Sequence, residues 1–358
     1  MLATVMQVTG SSYGGVGARM VIRVDGSTIG IVSGGCLETD LADKARKVHE
    51  TKIPEIVTYD TRADDDAAWG LGLGCNGLID VLLEALSPAE AGVFGRLLQN
   101  ALDSTDPSVM ATVVKAGDQG DRVGAHALIR DVVLETLGDF GRDQILREIA
   151  SDKDEAMTAG RRGLLREYGG VQVAFEVIAP AVRLVICGSG PDVVPLVRFG
   201  SELGWTMIVI DHRPVEHAHP ERFPGAQVAE CGDPAQLADS IELTSRTAAV
   251  VMSHHYARDL DYVRSLLASD VAYIGVLGPR TRAERMLADM AAMGTTVEGG
   301  DRLFTPVGLD IGSEGPDAIA LSIIAEISAA LHHRTGGHLR DRMGALHASP
   351  DVSTPSRT

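Results

Sequence analysis

Cysteine is scarce, with four in 358 residues, at positions 36, 75, 187 and 231. They are too few and too dispersed for a disulfide framework, and no CxxC pair marks a structural zinc site of the common kind. Positive charge is also in deficit: 32 Lys and Arg against 49 Asp and Glu leave a net charge of −17. Phosphate backbones are bound by clustered Lys and Arg, so nucleic acid is excluded as the main partner. An anionic membrane surface is disfavoured for the same reason. No apolar run approaches the ~18 residues of a membrane-spanning helix. The start, MLATVMQVTGSS, lacks the basic segment and apolar core of a secretory signal, so a cytoplasmic location is expected. Glycine is abundant instead, at 40 residues, which implies many tight backbone turns. The length suggests two or three domains.

Residues 3–35 read as β-rich runs (ATVMQV, ARMVIRV, STIGIVSG), with Asp25-Gly26 as a hairpin signal. Leu37, Leu41, Ala45 and Val48 then recur at helical spacing. The strand LIDVLLEAL follows a polar, Gly-rich loop. The next section repeats the first. Ala3-Thr4-Val5 returns as Ala111-Thr112-Val113, and VGARMVIR at 16–23 returns as VGAHALIR at 123–130. Each copy ends on a strand with a late glutamate, Glu84 and Glu176. The expectation is a duplicated α+β unit, residues 1–87 and 88–180, whose strands form two sheets packed together. From residue 181 to about 335, strands alternate with helices: RLVIC, TMIVID, QVAE, AAVVM, VAYIGVL, then a helix over 316–333 with Pro316 in its first turn. That alternation predicts a Rossmann-like parallel sheet with crossover helices. Residues 336–358 read as a mobile tail. The fold class is therefore α/β: a duplicated α+β unit followed by a Rossmann-like domain.

Cys187-Gly188-Ser189-Gly190 follows a strand and opens a helix, as dinucleotide-binding loops do. The glycines allow the tight turn and the close approach of a pyrophosphate to the helix N-terminus. Asp211 ends the next strand, where an acid could accept from ribose hydroxyls. The fingerprint's third glycine position holds Val193, and a Rossmann scaffold with a different anionic ligand is an equal alternative. Arg213 could face a 2′-phosphate. Cys36 follows Ser33-Gly34-Gly35 and precedes a helix, whose free N–H groups would favour its thiolate. Cys75 sits in a second turn, Gly74-Cys75-Asn76-Gly77. The two cysteines could face one pocket, or both could be small buried hydrophobes. Cys187 reads as core, and Cys231 stays open. His254 follows AAVVM at a strand's carboxyl end and is a candidate catalytic or ligand-orienting group. Arg280, with Arg282, could meet an anion at the next helix N-terminus.

Taken together these motifs resemble the XdhC/CoxI family of xanthine dehydrogenase accessory proteins. The matches are GSS at 10–12, GARM at 17–20, SGGC at 33–36 with Glu38, the Gly-Cys turn at 74–77, GSGPD at 188–192, VIDHR at 209–213, Ser253-His254, YIGVLGPR at 273–280 and PVGLDIGSEGPDAIALSIIAEI at 306–327. Tyr13-Gly14-Gly15 stands where the family's usual turn contains proline. The resemblance implies a protein that binds molybdenum cofactor as cargo, supports its sulfuration and delivers it to a xanthine dehydrogenase-type molybdenum hydroxylase. A cysteine desulfurase-like sulfur donor and a second copy of the chain, as a homodimer, are the further partners implied. Ser33, Gly34, Gly35, Cys36, Gly74 and Cys75 become candidates for cofactor handling, with the two thiols as ligands of its molybdenum. Gly188, Gly190, Asp211 and Arg280 become candidates for a nucleotide, NAD(P), or the pterin phosphate. The rival readings are an NAD(P)-dependent oxidoreductase with His254 as proton donor, and a nucleotide-sensing module without chemistry.

Overall fold

The opening strand β1 (Leu2–Gly10) lies in the middle of an antiparallel sheet with cover on both sides, which explains its unbroken buried start from Leu2 to Met6. Ala3 and Val5 join one apolar cluster, while Met6 joins another with Leu82 and Ala174. The computed structural model describes residues 1–341 apart from 11, 61–76, 118–121, 131–132, 142, 161–162, 216–217 and 295–299. Met1–Pro180 forms one compact unit, and the chain from Ala181 onward forms a second. No helix among the described residues is long and apolar enough to cross a membrane.

In the first unit, β2 (Arg19–Ile22), β3 (Thr28–Gly30), α1 (Glu38–Thr51), β4 (Glu55–Asp60) and β5 (Gly77–Glu84) complete the first copy. Its sheet runs β3-β2-β1-β5-β4. The second copy opens with α2 (Pro88–Leu102), then β6 (Ser108–Lys115), β7 (His126–Arg130), β8 (Val133–Leu137), α3 (Asp143–Ser151), α4 (Lys153–Ala159), β9 (Leu164–Tyr168) and β10 (Val171–Ile178). Its sheet runs β8-β7-β6-β10-β9, the same order copy for copy. The register repeats as well. Ala3 pairs with Met20 and Leu83, and Ala111 pairs with the corresponding Ala127 and Phe175. Two side-chain contacts tie the copies together reciprocally. Arg19 meets Glu176 at 2.5 Å, and His126, the counterpart of Arg19, meets Glu84 at 3.0 Å. Each copy's late glutamate thus serves the other copy's basic residue.

The β-rich run STIGIVSG does not stay a strand. β3 ends at Gly30, and residues 31–37 turn into α1. Gly34 and Gly35 have φ of +82° and +110°, a left-handed backbone that cannot extend a ladder. Leu37, Leu41, Ala45 and Val48 face the sheet as their 3.6-residue spacing requires.

In the second unit, β11 (Arg183–Cys187), α5 (Val193–Glu202), β12 (Thr206–Asp211), β13 (Ala226–Glu230), α6 (Leu237–Ser240), β14 (Thr247–Val251), α7 (Tyr256–Leu267), β15 (Tyr273–Val276), α8 (Arg280–Ala292), β16 (Leu303–Phe304) and α9 (Pro316–Leu331) alternate as expected. The sheet is parallel, in the order β13-β12-β11-β14-β15-β16. Alternate strand residues feed two cores. Val185, Ile208, Ala249 and Ile274 pack with α7 and α8, whereas Leu184, Val209, Val250 and Tyr273 pack with α5 and α9. The strand order reverses direction between β11 and β14. Crevices for ligands open at the carboxyl ends of strands beside such a switch point.

Candidate functional site

Cys36 is held by local chemistry. Val32 and Leu37, 1% and 2% exposed, anchor the two ends of its turn in the core, and Gly34, Gly35 and Cys36 between them are exposed. The carboxylate of Glu38 folds back over the start of its own helix. Its Oε1 accepts from the N–H groups of Val32 (3.1 Å) and Ser33 (2.9 Å). Its Oε2 accepts from the Ser33 hydroxyl (2.6 Å) and the N–H groups of Gly35 (2.9 Å) and Leu37 (3.1 Å). Burial pushes this carboxyl's pKa up, but the Ser33 hydroxyl and the N–H groups of Ser33 and Val32 overcome it and hold the pKa below its ordinary value. The donors expected to face Cys36 are therefore given in good part to Glu38. The ring of Tyr13 lies over Gly34, where a Cβ would come within 3.1 Å of it. Gly74 and Cys75 lie outside the described residues. A cavity of about 720 Å³ in this unit is lined by Arg23, Arg46, His49, Lys52 and Arg122 among others, and among the described residues none of the expected site residues borders it.

In the second unit the loops after β11 and β14 flank the switch point. Gly188 has φ +139°, and a Cβ there would come within 2.6 Å of the Met252 carbonyl oxygen on the neighbouring loop, so no side chain fits. Asp192 ends this loop and makes no cap with its side chain. Its carboxylate instead meets His254 Nε2 at 2.8 Å, bridging the two loops. His254 sits at φ +62°, an uncommon conformation for a side-chain-bearing residue, and is well exposed. Asp259, 1% exposed, holds the turn beneath it. It accepts from the Ser253 N–H (3.2 Å) and hydroxyl (2.5 Å) and from Arg282 Nη2 (2.5 Å).

Asp211 has other partners than the ribose hydroxyl expected of it. Its carboxylate accepts from the Ser189 hydroxyl and from the Arg213 backbone N–H, Nε and Nη2. Burial raises its pKa, but Arg213 and Ser189 together hold it well below the usual carboxylate range. Arg280 is exposed at the start of α8. Cys187 and Cys231 are buried, and burial raises both thiol pKa values. Among the described residues, no group of three or more His, Cys, Asp or Glu is arranged to hold a metal ion.

Residues 1–60 match the model of the XdhC and CoxI family, and residues 184–327 match the XdhC Rossmann domain. A Bacillus subtilis protein named as a probable xanthine dehydrogenase subunit is 32% identical over 329 residues, covering 91% of this chain and 92% of that protein. The chain belongs to the XdhC and CoxI family. A Bacillus halodurans protein whose crystal structure was solved under the name xanthine dehydrogenase superposes with a TM-score of 0.73 at 32% identity, covering 93% of this chain and 91% of that one. A more distant relative is the molybdenum cofactor insertion chaperone PaoD of Escherichia coli, 21% identical over 335 residues, 93% of this chain and 84% of that protein. The XdhC and CoxI match contains the Cys36 turn with Glu38. The Rossmann match contains Gly188, Gly190, Asp211, His254 and Arg280. The sequence reading singled out Cys36 and His254 and carried Glu38 and Asp192 within motifs, but did not assign Glu38, Asp192 or Asp259 the contacts that fix the two turns. Glu38 had a signal, an acid in the first turn of a helix behind a Gly-rich turn. The Asp192–His254 pair, 62 residues apart, had none.

Proposed function

We propose that this chain is an accessory protein that binds molybdenum cofactor and serves the maturation of a xanthine dehydrogenase-type molybdenum hydroxylase. The observation that carries this reading is the Cys36 turn: an exposed thiol on a glycine bend anchored on both sides in the core. A thiolate is a soft ligand suited to a metal–sulfur centre. The names of the Bacillus subtilis and Escherichia coli relatives supply the client and the cargo. Support of cofactor sulfuration, with a cysteine desulfurase-like donor, belongs to the same reading, because the thiol lies on the open side of the turn where a donor can reach the cargo. Anaerobic titration with isolated cofactor tests it, repeated with Cys36→Ala and Cys75→Ala. The intact protein binds, and Cys36→Ala weakens binding at least tenfold. No binding by the intact protein ends the cofactor reading, and binding untouched by Cys36→Ala ends the role of the thiol.

A second reading, an NAD(P)-dependent oxidoreductase, draws on the Asp192–His254 pair beside the Rossmann loop, where His254 could pass a proton. The engagement of Asp211 by Arg213 and Ser189 weighs against it, since the acid that would take ribose hydroxyls is already satisfied. Titration with NAD and NADP separates the readings: tight binding lost in Asp211→Ala, with hydride transfer to any substrate, favours the oxidoreductase.

A further inference from the structure

We infer that Glu38 is the positioning residue of Cys36, and that its fixed charge makes this turn a seat for the soft metal–sulfur end of a ligand rather than for its phosphate. The inference rests on the reading of Cys36 as a cofactor-handling thiol. Glu38 takes five donors, from Val32, Ser33, Gly35 and Leu37, on both sides of Cys36 in the chain. A Ser33 hydroxyl that also accepts from the Leu37 N–H at 2.8 Å closes the ring. The turn is thus wound around a carboxylate. Helix N-termini ordinarily offer their N–H groups and positive dipole end to an outside anion. Here the chain's own carboxylate occupies that place. A phosphate arriving at the turn finds the inward N–H donors taken and a like charge among them. A thiol on the rim remains available to a soft centre. The same hydrogen bonds restrict the backbone on either side of Cys36, so that its Cβ is displayed in one direction.

The test uses Glu38→Gln and Glu38→Ala in the full chain, with Cys36 followed through its own peptide. Alkylation of Cys36 by neutral iodoacetamide and by anionic iodoacetate is followed by peptide mass spectrometry, alongside thermal unfolding and cofactor titration. Both substitutions remove the charge, so both raise the iodoacetate-to-iodoacetamide rate ratio, roughly three- to tenfold for one unit charge a few ångströms away in a partly solvated site. Loosening of the turn alone would speed both reagents together and leave the ratio where it was. Cofactor affinity falls in Glu38→Gln, which keeps the side chain's shape. A ratio unchanged in both variants, or cofactor affinity unchanged in Glu38→Gln while the parent binds, overturns the assignment. A raised ratio in a protein that binds no cofactor at all upholds the charge at the turn and sinks the cofactor reading instead.

Discussion

Asp259→Asn removes a charge from beneath the His254 turn while preserving shape, and its cost can be worked from the contacts. The carboxylate is 1% exposed and receives three donors, two from Ser253 and one from Arg282. In the amide one oxygen still accepts, but the new NH2 group faces a donor. Breaking a buried ion pair by removing one partner costs ~3–5 kcal/mol. The Arg282 side chain keeps 24% of its exposure, so water replaces part of what it loses. We therefore expect a cost of ~2–3 kcal/mol, of which each lost neutral hydrogen bond is about 1 kcal/mol. For a unit of this size that lowers the thermal midpoint by about 5–10 °C. Arg282→Met leaves a buried, uncompensated carboxylate and costs as much or more. Calorimetry on both single variants and the double variant completes the cycle, with the double less destabilised than the sum by ~1–2 kcal/mol. An Asp259→Asn midpoint indistinguishable from the parent, or strictly additive singles, would refute the view that this pair holds the turn.

Further expectations follow from burial and charge. Asp211 has a depressed folded-state pKa, so its contribution is complete above the unfolded value of ~3.9 and is lost as pH falls through the lower folded value. Acid titration of stability in Asp211→Asn should be correspondingly flatter below about pH 4, and an unchanged slope would show that Arg213 and Ser189 do not stabilise the charge. Glu84→Gln should cost ~1–3 kcal/mol because it disturbs a buried hydrogen bond whose partners, Glu84 and His126, are both 2% exposed or less. Glu176→Gln should cost about 1 kcal/mol or less, since Arg19 and Glu176 keep 20% and 15% exposure. Denaturant midpoints distinguish them, and equal costs would contradict the burial argument. In the native protein Cys36 should alkylate while Cys187 and Cys231, 0% and 2% exposed, wait for denaturant; peptide mapping reads this directly.

What could be read in advance was periodic or repeated. The shared strings at 16–23 and 123–130 imply shared backbone, and the two sheets do repeat their strand order and their register. The strand–helix alternation after Arg183 carries its own topology, because parallel neighbours need crossovers. The end of β3 was not legible from β-propensity, because Gly30, where the strand stops, and Gly34 and Gly35 after it act through positive φ rather than through any side chain. Asp211 shows a different limit. An acid at the end of a strand looks the same whether it awaits a ribose or is already held, and only the fold brings Ser189, 22 residues away, onto its oxygen.

The two turns that present Cys36 and His254 share a construction that bears on where an anionic ligand group goes. Each lies just before a helix, and in each an acid from that helix's first turn reaches back to backbone N–H: Glu38 in α1 takes four such groups, and Asp259 in α7 takes that of Ser253. An internal carboxylate satisfies the orphan N–H groups and the dipole without a ligand, which makes the turn rigid and leaves it little to offer a phosphate. The N-termini of α5 and α8 are built differently. Neither has an acid in its first turn or a side-chain cap, and Asp192, which stands where a cap would, spends its carboxylate on His254. A soft metal centre and an anionic group therefore suit different turns of this chain. The closed kind displays Cys36 and His254, and of the open kind the start of α8 at Arg280 keeps its first turn clear of any acid. On the accessory-protein reading, loss of Cys36 and loss of Arg280 should then weaken the recognition of different chemical groups. Titration with metal-free pterin phosphate should respond to Arg280→Ala and not to Cys36→Ala, and the reverse pattern would refute the division between the two kinds of turn.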